Sequence, residues 1–186
     1  MPKKFKSLKG QLLLDGGELR GSFFHRTVIL MCQHDEQGAL GLVLNRFMER
    51  TLEGALTEEV PESMLQQPLF LGGPVQPTAL SFLYSGAFLS DAIVLEDVAL
   101  GHSLEMLVEC AQSHSPERRL RVFAGYSGWG PGQLEGELKR NAWLTHSATA
   151  ELVFHPRPEQ LWRIILKMKG WPYQVLADAP EDLSRN

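Results

Sequence analysis

The chain has 186 residues, 44% of them hydrophobic, and a formal net charge of −4. That length suits one domain, which buries roughly 70% of its unfolded surface and needs no staple to fold. Charges of both signs are spread along it, so it has no overall cationic bias towards nucleic acid. The apolar part of its N-terminal segment is three leucines long, too short for a signal peptide or a membrane span; the expectation is a soluble, cytoplasmic protein.

In chain order, residues 1–9 form a flexible basic arm with Lys3, Lys4, Lys6 and Lys9. "GQLLLD" is a short strand ending at Gly16 and Gly17. "RTVILMCQ" is an unbroken apolar run rich in β-branched residues, which suits a strand buried on both faces. "HDEQG" supplies turn chemistry and "ALGLVLN" a second strand, so the two pair as a hairpin. "LEGAL" suits a short helix, and Pro61 and Pro68 bound a loop. "LFLGGPVQP" holds a strand end and a tight turn; "ALSFLYSG" and "AIVLED" are further strands.

From Ser103 the period changes. Leu104, Leu107, Val108 and Ala111 share one helical face, with Ser103 as N-cap and Glu105 near the positive end of the dipole. "RRLRVFAG" reads as a strand with Leu120, Val122 and Ala124 on one side. Residues 131–140 are a short helix, and "AWLTHS" is another strand. The last helix carries Pro158 in its first turn, a stripe of Leu161, Ile164, Ile165 and Met168, basic residues near its end, and Gly170 as its stop. Trp143, Trp162 and Trp171 are expected to pack against neighbouring elements. Strands and helices mix without a βαβ repeat, which predicts a single α+β domain over residues 1–186 around a mostly antiparallel or mixed sheet.

The stretch "GYSGWGPGQLEGEL" could be a catalytic loop, an anion cradle or architecture. A phosphate loop needs Lys followed by Ser or Thr after its glycines, whereas Gln133 and Leu134 follow here. Glu135 and Glu137 would repel an anion where the helix dipole attracts one. Gly125-Tyr126-Ser127-Gly128-Trp129 misses the G-x-S-x-G nucleophile pattern at its fifth position, and Glu151 would have to serve as the acid before His155. The architectural reading fits better: the glycines allow unusual backbone angles, Pro131 pre-sets a helical turn, and Leu134 and Leu138 face inward. Tyr126 and Trp129 are large for a mere turn, and so are candidates for lining a groove.

These residues resemble the AlgH/YqgE family. The likeness rests on "GQLLLD", on Phe24-His25-Arg26-Thr27-Val28, on His34, on "GALGLVLNR" and "LGGPV", on the glycine-rich stretch with Trp143, and on Leu161-Trp162 and Asn186. The chain departs from many members at Gly21, Phe47 and Tyr84. The resemblance implies an α+β domain whose bent sheet forms an open, barrel-like core flanked by helices. It implies a small cytoplasmic bacterial protein without an established activity, carrying the label of transcriptional regulator.

Three functions are weighed. The first is a non-enzymatic binding or regulatory module with a protein or small-molecule partner; its candidate residues are His34, Asn45, Arg46, Tyr126, Ser127, Trp129 and Gln133. The second is direct DNA binding through the arm and Arg118, Arg119 and Arg121, against which stands the reading of a solvated tail and a charged sheet edge. The third is an enzyme whose site forms around the glycine-rich loop from His34, Asn45, Arg46, Ser127 and Gln133. No histidine makes HxxxH or HExxH spacing, and Cys32 and Cys110 have no CxxC partner, so no metal, cofactor or disulfide is specified. The oligomeric state is not specified either.

Overall fold

The computed structural model describes residues 5–54, 62–86, 92–112 and 119–180. The leucine run of "GQLLLD" forms β1 (Gln11–Asp15), which pairs antiparallel with β2 (Val28–Asp35). β2 returns through a tight turn as β3 (Gly38–Val43), the hairpin that the turn residues predict. Side chains alternate across these strands: Leu12, Leu14 and Leu30 join one core, and Leu13, Ile29 and Met31 another. Both faces are covered, which explains why the runs carry no polar alternation.

Beyond β3 come β4 (Phe47–Thr51), a 3-10 turn at Leu52–Gly54, and α1 (Glu62–Leu65). The expected loop before Pro68 is thus partly helical, while residues 55–61, with Pro61 and part of "LEGAL", lie outside the described residues. β5 (Pro68–Leu71) and β6 (Val75–Ser85) flank the Gly72-Gly73 turn. β7 (Ile93–Leu95) and β8 (Val98–Gly101) precede α2 (Leu104–Gln112), whose start is capped by Ser103 Oγ accepting from the Met106 amide at 3.3 Å.

The strand read from "RRLRVFAG" runs further than expected. β9 spans Leu120–Trp129, so residues 125–129 of the glycine-rich stretch are strand and not loop. α3 (Gln133–Lys139) and β10 (Trp143–Ser147) follow, then α4 (Ala150–Val153), a 3-10 turn at Pro158–Gln160, α5 (Leu161–Lys169) and α6 (Tyr173–Asp178).

One curled sheet holds the strands in the order β10-β1-β2-β3-β9-β6-β8-β7, with β5 beside β9 and β4 beside β5. All described pairings are antiparallel except β5 with β9. The α+β expectation of a bent, mostly antiparallel sheet forming an open half-barrel flanked by helices therefore holds. α4 and α5 cover one mouth through Leu152, Val153, Leu161, Trp162, Ile165 and Leu166. This face of α5 is not the stripe read from periodicity: Met168 is exposed, and Leu166 takes its place inside. Trp143 and Trp162 are packed as expected, but Trp171 is 78% exposed. α2 covers a second core with Leu107 against Phe82 and Val122. No described helix is long and apolar enough to cross a membrane.

Candidate functional site

The structure splits the seven candidate residues into three groups. His34, Trp129 and Gln133 gather beside α3, because β2, β3 and β9 set His34 against Ala39 and Ala39 against Trp129. Asn45 and Arg46 lie past the opposite end of β3. Tyr126 and Ser127 sit between, in β9.

The α3 group is fully engaged internally. The Leu8 amide donates to His34 Nδ1 at 2.9 Å, so that nitrogen carries a lone pair and the ring proton resides on Nε2. Nε2 then donates to Glu135 Oε1 at 2.9 Å. Ser7 Oγ donates to the His34 carbonyl at 2.8 Å, and Phe5 packs edge-on against the imidazole. Residues 5–9 are thus docked on His34; Lys3 and Lys4 lie outside the described residues.

Glu137 has a larger part. Its Oε2 accepts from Trp129 Nε1 at 2.8 Å and from Trp143 Nε1 at 2.7 Å. Gln133 Nε2 donates to Glu137 Oε1 at 3.1 Å, while Gln133 Oε1 accepts from the Gly130 amide at 3.1 Å. Phe24 stacks on Trp129 and meets Trp143 edge-on, closing an aromatic cluster. Both tryptophans are buried. Trp129 also borders a shallow depression of about 200 Å³ along the β2–β3 turn.

Ser127 is fully buried in β9, and its hydroxyl donates to the Gly72 carbonyl at 3.2 Å. A nucleophile elbow holds its serine at an exposed strand-to-helix turn; Ser127 occupies strand interior instead. Tyr126 is half-buried against the first core, and its ring lies over Gly128, where an added Cβ would meet it at 3.3 Å. The five residues of the enzyme reading do not converge.

The basic residues of the DNA reading are also placed. Arg121 is buried on a central strand rather than a sheet edge, and burial pushes its guanidinium down to about 10 from the usual arginine range. It donates to the carbonyls of Val153 and His155 and lies over the Phe70 ring. Arg119 reaches the Ala150 carbonyl and the Phe154 ring. Both brace α4. Arg118 lies outside the described residues.

A cleft of about 380 Å³ opens where the 16–27 loop, the start of β4 and the beginning of α5 meet; it is lined by His25, Arg26, Asn45, Arg46, Glu159, Gln160, Trp162 and Arg163. Buried Asp15 organises its wall. Asp15 Oδ1 accepts from the amides of Gly17 and Leu19, and Oδ2 from that of Arg26 at 2.7 Å. These bonds hold Arg26 at a positive φ of 54°. Asn45 bridges the strand entry, accepting from the Val28 amide at 2.9 Å and donating to the Arg26 carbonyl at 2.8 Å. Arg46 Nη2 donates to the carbonyls of His25 at 2.6 Å and Phe23 at 3.4 Å. Trp162 forms the floor, its Nε1 donating to the Asp15 carbonyl at 3.0 Å under the Arg26 guanidinium.

Of the candidates, then, only Asn45 and Arg46 reach this cleft. His25, Arg26 and Trp162 stand in the sequence only within residues 24–28 and Leu161-Trp162, and no spacing of Glu159, Gln160 or Arg163 announces a site. Among the described residues, no group of three or more His, Cys, Asp or Glu side chains is placed to hold a metal ion. Neither cysteine is in a disulfide.

The family model described as AlgH-like matches residues 12–174. A UPF0301 protein of Chlorobium limicola is 39% identical over 189 residues, covering 97% of each chain. One from Cytophaga hutchinsonii is 36% identical over 178 residues, covering 94% of this chain and 96% of its own. The solution structure of the AlgH protein from Pseudomonas aeruginosa superposes with a TM-score of 0.76 at 29% identity, covering 96% of this chain and 98% of that one. A crystal structure from Corynebacterium diphtheriae gives 0.77 at 19% identity over 95% of each chain, a likeness of fold alone. This chain belongs to the AlgH-like family.

Proposed function

We propose that this protein is a non-enzymatic binding module of the cytoplasm and that the cleft above Trp162 is its ligand site. One observation carries the reading. Polar and charged side chains from three segments distant in sequence converge on a single cavity, while the glycine-rich stretch is consumed by internal bonds. A cavity of this size with a few convergent polar groups suits a small molecule. Any link to transcriptional regulation would then run through ligand-dependent contact with another macromolecule. No observation favours direct DNA binding, since Arg119 and Arg121 brace α4.

The test is a thermal-shift screen of small metabolites on the purified protein. A true ligand raises the melting temperature of the wild type and of Gln133→Ala, and the rise is lost in Arg163→Gln. A rise lost in Gln133→Ala and kept in Arg163→Gln would move the site to α3. Turnover of the hit would overturn the non-enzymatic reading.

A further inference from the structure

The chemistry of the ligand is written in the charges of the cleft, and this inference rests on the cleft being the binding site. Arg46 and Arg163 bring guanidiniums to it, and among the described residues its one lining carboxylate is the exposed Glu159. Arg46 is the telling member. It is half-buried, and its hydrogen bonds go to the neutral carbonyls of Phe23 and His25. No carboxylate among the described residues pairs with it, and its Nε is buried without an acceptor. Carbonyls satisfy N–H groups but supply no formal counter-charge, and a partly desolvated cation without one is unfavourable.

Two neighbours strengthen the case. His25 Nδ1 is likewise buried without a hydrogen bond; it lies 3.4 Å from Asp15 Oδ2. Arg163 donates through Nε to the Ala177 carbonyl at 2.9 Å, and its nearest carboxylate among the described residues, Asp178, is 3.8 Å away and stands closer to Lys167 at 3.2 Å. One carboxylate therefore serves two cations.

We infer that the cleft binds a small anion through a carboxylate or phosphoryl oxyanion seated between Arg46 and Arg163. Such a group supplies the missing formal negative charge, and guanidinium forks match its geometry.

Titration of the full-length protein with inorganic phosphate, with succinate and with neutral succinamide at constant ionic strength tests this, read by NMR at the arginine Nε–H resonances. The Arg46 signal is expected to shift saturably with phosphate, succinate or both, and not with succinamide; which anion binds tighter separates phosphoryl from carboxylate recognition. Arg121, buried elsewhere, should stay still. Arg163→Gln, an exposed change, should weaken binding about tenfold or more. Equal shifts with succinamide, or none with either anion, would overturn the inference, water then completing the cleft. In that case a neutral hit from the thermal screen that moves Arg46 would leave the binding-module reading standing.

Discussion

Glu137 joins the two halves of the aromatic cluster through a single oxygen: both indole N–H groups of Trp129 and Trp143 donate to Oε2. Removing that acceptor strands two buried donors. Glu137→Ala should therefore lower stability by about 2–4 kcal/mol in urea unfolding, since each buried donor left unsatisfied costs on the order of 1–3 kcal/mol. Glu137→Gln should cost much less, about 1 kcal/mol, because one amide oxygen can take the place of Oε2 and Gln133 can turn to meet the new NH₂. Equal losses in the two variants would contradict this account of the carboxylate. Glu137 accepts the Trp129 indole, but the bulk of Tyr126 and Trp129 has another cause. Their size serves packing, with Trp129 against Phe24 and Trp143, and Tyr126 over Gly128.

At the scale of elements, the glycines near β9 divide by what surrounds them. At Gly73, in the turn between β5 and β6, an added Cβ would lie 2.1 Å from the Tyr126 carbonyl carbon, so the strand could not approach. Gly73→Ala should cost more than about 3 kcal/mol, as overpacking against backbone does. Gly132 opens α3 at a φ of 73° with open space around it, so Gly132→Ala should cost only about 1 kcal/mol of backbone strain. Gly130 has open space and no positive φ, and Gly130→Ala should fall within about 0.5 kcal/mol of the wild type. Thermal or urea unfolding of the three variants checks the order; a mild effect at Gly73 would contradict the packed crossing of the β5–β6 turn over β9.

The longer elements were legible because their patterns are strong. The apolar runs of β2 and β3 report burial on two faces, and Ser103 and Gly170 mark helix ends by cap chemistry. β8, α4 and α6 were not read, because four to six residues carry too little periodicity. The face of α5 was misread because its burial follows Leu161, Trp162, Ile165 and Leu166, which wrap further round the helix than a single stripe. The cleft was hardest. Its side chains come from three distant segments, and they bond mostly to backbone carbonyls, which leave no signature in residue spacing.

For the whole molecule, the two-sided core sets a pH limit. Cys32, on β2, is buried in the first core, and desolvation pushes its thiol from 9.0 up to about 12, with Lys9 pulling the other way. The unfolded chain therefore loses this proton first as pH rises. Stability from this group is intact below pH 9.0 and is lost through about 12, with a slope of up to about 1.4 kcal/mol per pH unit. Urea unfolding across that window should show the decline, and Cys32→Ala should flatten it. An unchanged slope in the variant would place the alkaline transition elsewhere.

The central claim is that recognition belongs to the cleft and architecture to the glycine-rich stretch. The most direct measurement is a backbone and side-chain NMR map of the protein with the ligand found by thermal shift. Perturbations are predicted at Arg26, Asn45, Arg46 and the Trp162 indole N–H, which sits on the cleft floor. Tyr126, Trp129 and Gln133 should stay unmoved. Perturbations centred on those three residues, with Arg46 and Trp162 silent, would contradict the account.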